Sequence, residues 1–151
     1  SRSTEDIDIF IPEINEPSFK LFLSELSESN FCILNEGEEG AYSTLNEGIA
    51  LRFAKKSTVQ PNAEVKLARK ELDFYSLKNK IKVVLKYGEL FISPIELNIA
   101  YKLFLSGNKD IEDARFLFKL FKGKIDIKKT EDFVKLLNVG GYYRKYILDE
   151  K

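Results

Sequence analysis

Along residues 6–11, "DIDIFI", polar and apolar positions alternate, the period-two pattern of a half-buried strand. Asp6 and Asp8 then project to one face, Ile7 and Ile9 to the other, and Pro12 ends the run. Phe19, Phe22, Leu23 and Leu26 recur at helical spacing, which predicts a helix over 18–29 with Ser18 as its N-cap. "FCILNE" (31–36) and "IALRFA" (49–54) read as strands around a turn-rich stretch, 37–48, that holds three glycines. After a loop at 55–62, "AEVKLA" (63–68) alternates again, with Glu64 and Lys66 on one face and Val65 and Leu67 on the other. A short helix is expected over 70–79, then two strands joined by a tight turn within 80–93.

The pattern changes at Pro94, a residue suited to a helix start. Ile95, Leu97, Ile99, Leu103 and Phe104 form a broad apolar stripe over 94–105, and "SGN" breaks it. A second amphipathic helix is predicted over 109–121, closed near Gly123. A third follows over 130–138, with Thr130 as N-cap and two acids in its first turn. Residues 140–148 read as a last short helix, with Gly140-Gly141 as the turn before it. A strand-rich front is thus followed by an all-helical rear, an α+β arrangement.

Composition narrows the chemistry. The chain has 151 residues, 44% hydrophobic and 32% charged, enough for one domain or one domain with a helical annex. Lysine and arginine number 24, and so do aspartate and glutamate, so no overall basic surface argues for nucleic acid. There is no His, which excludes Ser-His-Asp and Cys-His catalysis. Cys32 stands alone, which rules out an internal disulfide and a cysteine zinc site, and "FCIL" suggests a core thiol in a reducing compartment. No apolar run approaches membrane-spanning length and no signal peptide is visible, so the expected location is cytoplasmic and off the membrane. With no Met at any position, the chain reads as processed or shortened.

Carboxylates, lysines or a metal must therefore carry any catalysis. Phosphoryl transfer with Mg²⁺ needs two or three acids converging on a hard cation. A D-x-D on a strand aims two carboxylates the same way, and an acid from a neighbouring strand completes the set. Asp6, Asp8 and Glu64 fit that description; a solvated acidic face would give the same pattern. The second constellation is "AYKLFLSGNKDIEDA" (100–114). Asp110 and Asp113 are three apart on one helix face, while Lys102 lies near the end of the helix before. Favourable helix-end electrostatics, worth about 0.3–1 kcal/mol each, would explain these positions equally well.

Taken together, "STEDIDI" and "ISPIELNIAYKLFLSGNKDIEDA" resemble the minimal nucleotidyltransferases of the DNA polymerase β superfamily, in particular the AbiEii-like branch, several of which are toxins of toxin–antitoxin pairs. The resemblance is most specific over 1–11 and 89–121. It implies a nucleotidyltransferase-like core over 1–93, a small mixed sheet with flanking helices, and a helical bundle over 94–151 packed on it. It implies transfer of a nucleoside monophosphate from an NTP to a hydroxyl on protein, tRNA or another acceptor, with Mg²⁺ or Mn²⁺ as cofactor and a cognate antitoxin as a partner class. Asp6, Asp8 and Glu64 match the metal-binding acids. Lys102, Lys109, Asp110 and Asp113 match the family's helix residues beside the nucleotide, with Lys102 meeting phosphates and Asp110 holding it or activating the acceptor. Ser3 and Thr4 lead into the D-x-D and fall at the nucleotide too. The family's phosphate-cradling Gly-Gly or Gly-Ser turn comes before the D-x-D. Only five residues precede Asp6, so the expectation is either a helix ahead of Ser1 or a chain that keeps the fold as a binding module. A small metal-dependent nuclease using the same carboxylates is a further alternative.

Overall fold

The computed structural model describes residues 6–149, which form two compact units divided between Lys78 and Asn79. In the first, a four-stranded sheet runs in the order β1-β4-β3-β2, with β1 Asp6–Ile11, β2 Phe31–Ile33, β3 Leu51–Lys55 and β4 Asn62–Leu67. β1 and β4 are parallel and the other pairs antiparallel, which makes the sheet mixed. A parallel pair cannot be joined by a hairpin, and here α1 (Glu16–Glu28), β2, α2 (Glu38–Asn46) and β3 all lie between the two strands in sequence. α3 (Glu71–Lys78) closes the unit.

Odd-numbered residues of β3 and β4 pack into the core with α1 and α2, while Ile7 and Ile9 of β1 remain exposed. Leu51, Phe53, Val65 and Leu67 join Phe19, Ala41 and Leu45 in one buried cluster, flanked by Ile11, Phe22, Leu23, Leu26 and Tyr42. Phe22 meets Phe53 edge-on at 5.8 Å, and Phe19 lies 5.6 Å from Tyr42. Burying a side chain such as Phe19 contributes roughly 1.5–3 kcal/mol, so this layer holds the even-numbered polar face in place. Cys32 is a half-buried thiol on β2.

Several helix boundaries differ from the sequence expectation. α1 is capped by Asn15, whose Oδ1 accepts the Ser18 amide at 2.9 Å, so Ser18 is inside the helix. Residues 38–46 form a helix where turns were expected. Ala41 and Leu45 are fully buried one turn apart, and that burial outweighs the poor propensity of Gly40, Ser43 and Thr44. Glu36 fastens its start, accepting the Gly37 amide at 2.8 Å and the Thr44 hydroxyl at 2.9 Å, and these bonds hold its carboxyl below the usual range. The Arg69 guanidinium donates to the Asn46 carbonyl at the other end.

The second unit opens with a hairpin of β5 (Ile81–Leu85) and β6 (Gly88–Ile92). The sequence-based division at Ser93 thus falls after this hairpin and inside the second unit. Helices follow: α4 Ile95–Leu105, α5 Asn108–Leu120, α6 Ile127–Leu136 and α7 Gly140–Tyr143, the last running into a π-helical turn, Arg144–Leu148. α4 packs against α5, α6 and α7, and buries Ile95, Leu97, Ile99, Ala100 and Leu103. A helix in contact with three others is apolar round most of its circumference, which is the broad stripe seen in the sequence. α6 begins at Ile127 with Asp126 as N-cap. Thr130 sits one turn inside, wholly buried, its hydroxyl donating to the Asp126 carbonyl at 3.0 Å. α5 ends on Phe121, and Gly123 (φ +83°) belongs to the turn beyond it. Gly140 and Gly141 open α7 rather than form the turn before it. No helix among the described residues is long and apolar enough to cross a membrane.

Candidate functional site

Each unit carries one polar cluster built around a lysine. In the first, parallel register places Asp6 beside Asn62 and Asp8 beside Glu64, and antiparallel register places Arg52 beside Glu64. All five are even-numbered and share the face opposite the core, as does Lys66. Asn62 is buried. Its amide nitrogen donates to Asp6 Oδ1 at 2.6 Å and its oxygen accepts from Arg52 Nε at 3.3 Å. Lys66 Nζ lies 3.0 Å from Asp8 Oδ1 and 3.4 Å from Glu64 Oε2, bridging the two acids, and Arg52 Nε lies 3.7 Å from Glu64 Oε1. Burial works to lower the Lys66 pKa, but hydrogen bonds and charge from Asp8 and Glu64 outweigh it and hold the ammonium above the ordinary lysine value.

Alternation in the sequence thus placed Asp6, Asp8 and Glu64 on one face, and the strand register sets them there. It did not single out Asn62 and Arg52, which tie Asp6 to Glu64 across three strands. Their signal is faint: Arg52 and Glu64 sit among apolar neighbours in strand-like runs, Asn62 falls in the expected loop although β4 begins there, and nothing local says which strands pair.

The cluster's capacity for a cation follows from its donors. Two positive charges, Arg52 and Lys66, face three negative ones, Asp6, Asp8 and Glu64, leaving one negative charge over. Among the described residues, no three of His, Cys, Asp and Glu converge closely enough to hold a metal by themselves. Mg²⁺ does not need three, because it is commonly held by one or two carboxylates with water and substrate phosphates. The Lys66 ammonium marks a point that Asp8 and Glu64 both reach, so the oxygen donors fit a hard cation in kind and in pairing.

In the second unit, α4 ends where Ser106 takes a left-handed conformation (φ +57°), and Gly107 caps α5. This corner brings Lys102 onto the first turns of α5. Its Nζ donates to Asp110 Oδ1 at 2.8 Å and lies 3.3 Å from Asp113 Oδ2. Burial again works to lower the lysine pKa, and hydrogen bonds and charge from Asp110 and Asp113 again raise it overall. Gly107 leaves room for this arrangement, since a Cβ there would stand 2.9 Å from Asp110 Oδ2. Lys109 is exposed at the start of α5. Ser3 and Thr4 lie outside the described residues.

No protein-family model and no curated protein matches this chain.

Proposed function

We propose that this chain is a metal-dependent nucleotidyltransferase of the minimal DNA polymerase β type. One observation carries the reading: the D-x-D strand runs beside β4 in a register that sets Asp8 opposite Glu64, with Asp6 on the same face. That is the third acid from a neighbouring strand that the chemistry calls for. In this reading Asp8 and Glu64, with Asp6 on the same face, would bind Mg²⁺ or Mn²⁺ together with water and substrate phosphates, and the metal would supply positive charge against the departing pyrophosphate. An acceptor hydroxyl oxygen bonds to the α-phosphorus as the bond from that phosphorus to the bridging oxygen breaks, and the hydroxyl proton passes to a base. The resemblance assigns Lys102 and Lys109, in the second unit, to nucleotide phosphates; Asp110 accepts from Lys102 Nζ at 2.8 Å.

A second reading, a nucleotidyltransferase-fold protein that binds a partner without catalysis, draws on Lys66. Its ammonium already satisfies Asp8 and Glu64 together, as a structural bridge would. The deciding experiment incubates the chain with labelled ATP, Mg²⁺ and a tRNA pool. Label on RNA or protein, lost in Asp6→Asn with Asp8→Asn, supports transfer. Strand shortening instead points to a nuclease, and no reaction with any of the four NTPs points to the binding module.

A further inference from the structure

The second unit carries a cleft that neither lysine cluster uses. It lies between the later turns of α5 and the π-helical turn, and is lined by Arg115, Phe118, Lys119, Lys122, Tyr146 and Ile147. Arg115 and Lys119 lie one turn apart on α5, and Lys122 follows in the turn just beyond it. Like charges four apart on a helix disfavour each other, and the pair stands here although the overall charge is zero.

The imbalance extends to both walls. Residues 114–125 hold four basic side chains and no acid, and residues 139–148 add Arg144 and Lys145, again with no acid. Asp113, Asp126 and Asp149 stand immediately beyond these segments.

The floor is apolar and fixed. Ile147 is buried, and Phe118 meets buried Tyr143 edge-on at 6.4 Å. Tyr146 stacks on Tyr142 at 5.8 Å, so an aromatic pair adjoins the cations. The wall that carries Tyr146 is a π turn, closed by the Asp149 amide donating to the Arg144 carbonyl at 3.0 Å. Such turns are rare and recur at functional sites. The cleft measures about 80 Å³, where one water needs about 10–15 Å³, so it has room for a compact group of about five heavy atoms.

From these observations we infer that the cleft between α5 and residues 144–148 is a phosphate-binding site that takes the phosphate group of a nucleotide. Arginine and lysine supply charge-assisted donors to the phosphate oxygens, and exposed Tyr142 offers a ring face to the base, while the Tyr146 ring stacks on Tyr142 and carries the Lys145 ammonium 4.8 Å from its centroid. The nucleotide is either free or part of a single strand, and the chemistry is shared. The site does not depend on the transfer reaction proposed above.

The test uses the full chain with EDTA present, so that the carboxylate clusters have no metal to contribute. Amide shifts in NMR are followed while AMP is added. Shifts centred on 115–122 and 144–148 are expected. Lys119→Gln with Lys122→Gln, both exposed positions, should leave the melting temperature unchanged and weaken AMP binding by about tenfold or more. A uridine oligonucleotide of about ten residues separates the sources. Tighter, salt-sensitive binding of the oligonucleotide at the same amides assigns the phosphate to a strand, and equal binding assigns it to a free nucleotide. No shift in these two segments, or shifts that the double variant leaves intact, would overturn the inference.

Discussion

Lys66 and Lys102 solve the same problem on different backbones. Each ammonium bridges two carboxylates, each is held above the ordinary lysine pKa by them, and each three-group bridge carries one net negative charge. Their construction differs. Lys102 reaches Asp110 only eight residues on, across one helix corner, while Lys66 reaches Asp8 across 58 residues and depends on sheet register. The helix-corner bridge is also better sheltered: the Asp110 side chain is 25% exposed and that of Asp8 is 66% exposed. A bridge built locally can fold with its own corner, whereas one built on register exists only when the whole sheet does.

The largest break in this comparison lies beneath the helix corner. Leu103 is fully buried directly beside Lys102, and Leu103→Ala should cost about 2–5 kcal/mol, seen as a large drop in melting temperature. If the variant melts like the parent, α4 is not the central helix described. Next come the acids themselves. Asp110→Ala leaves Lys102 half-buried with one partner fewer and should cost about 1–2 kcal/mol, after allowance for solvent screening. Asp8→Ala removes an exposed pair and should cost under about 1 kcal/mol, most of it gone at high salt. Equal losses for the two, or a loss from Asp8→Ala that salt does not touch, would erase the distinction between local and register-built bridges. Asp6→Asn with Asp8→Asn sharpens it further. With Lys66 already offsetting Asp8, the metal-free melting temperature should barely move, while Mg²⁺-dependent NTP binding disappears.

The same contrast explains what the sequence revealed. β1, β4 and α4 were legible because their periodicities are clean; the Lys102–Asp110 contact was implied by the resemblance, spacing alone leaving helix-end electrostatics as an equal explanation. Asp6, Asp8 and Glu64 were placed on a shared face by alternation alone. Register was not legible: no local pattern says that β1 runs parallel to β4, so the roles of Asn62, Arg52 and Lys66 stayed hidden. α2 was missed for a related reason. Gly40, Ser43 and Thr44 read as turn residues, and only the tertiary burial of Ala41 and Leu45 makes them a helix. The caps Asn15 and Asp126 were displaced from the expected Ser18 and Thr130 by three and four positions, because each helix begins one turn before its first buried residue, Phe19 in α1 and Thr130 in α6.

The smallest effect tests a buried hydroxyl in the second unit's core. Tyr143 is 4% exposed, and its hydroxyl has no hydrogen-bond partner among the described residues, in contrast to the lysines that each bridge two acids. Burial, aided by the negative charge of Glu131, pushes its pKa up. A raised tyrosine keeps its proton in the folded chain at pH values where the unfolded chain has released it. Its contribution to stability is therefore lost as pH rises above the unfolded tyrosine value, about 10. Raised lysines act in the same direction, because their ion pairs vanish as pH climbs through the folded lysine pKa. Alkaline loss should thus have two separable sources. Tyr143→Phe should be neutral to stabilising by up to about 1 kcal/mol at pH 7 and should flatten the first part of the alkaline decline. Lys66→Met and Lys102→Met should flatten the later part, Lys102→Met more than Lys66→Met because its pair is better sheltered. Chemical denaturation at stepped pH reads all three, and a Tyr143→Phe variant that is clearly less stable at pH 7 would show that the hydroxyl has a partner after all.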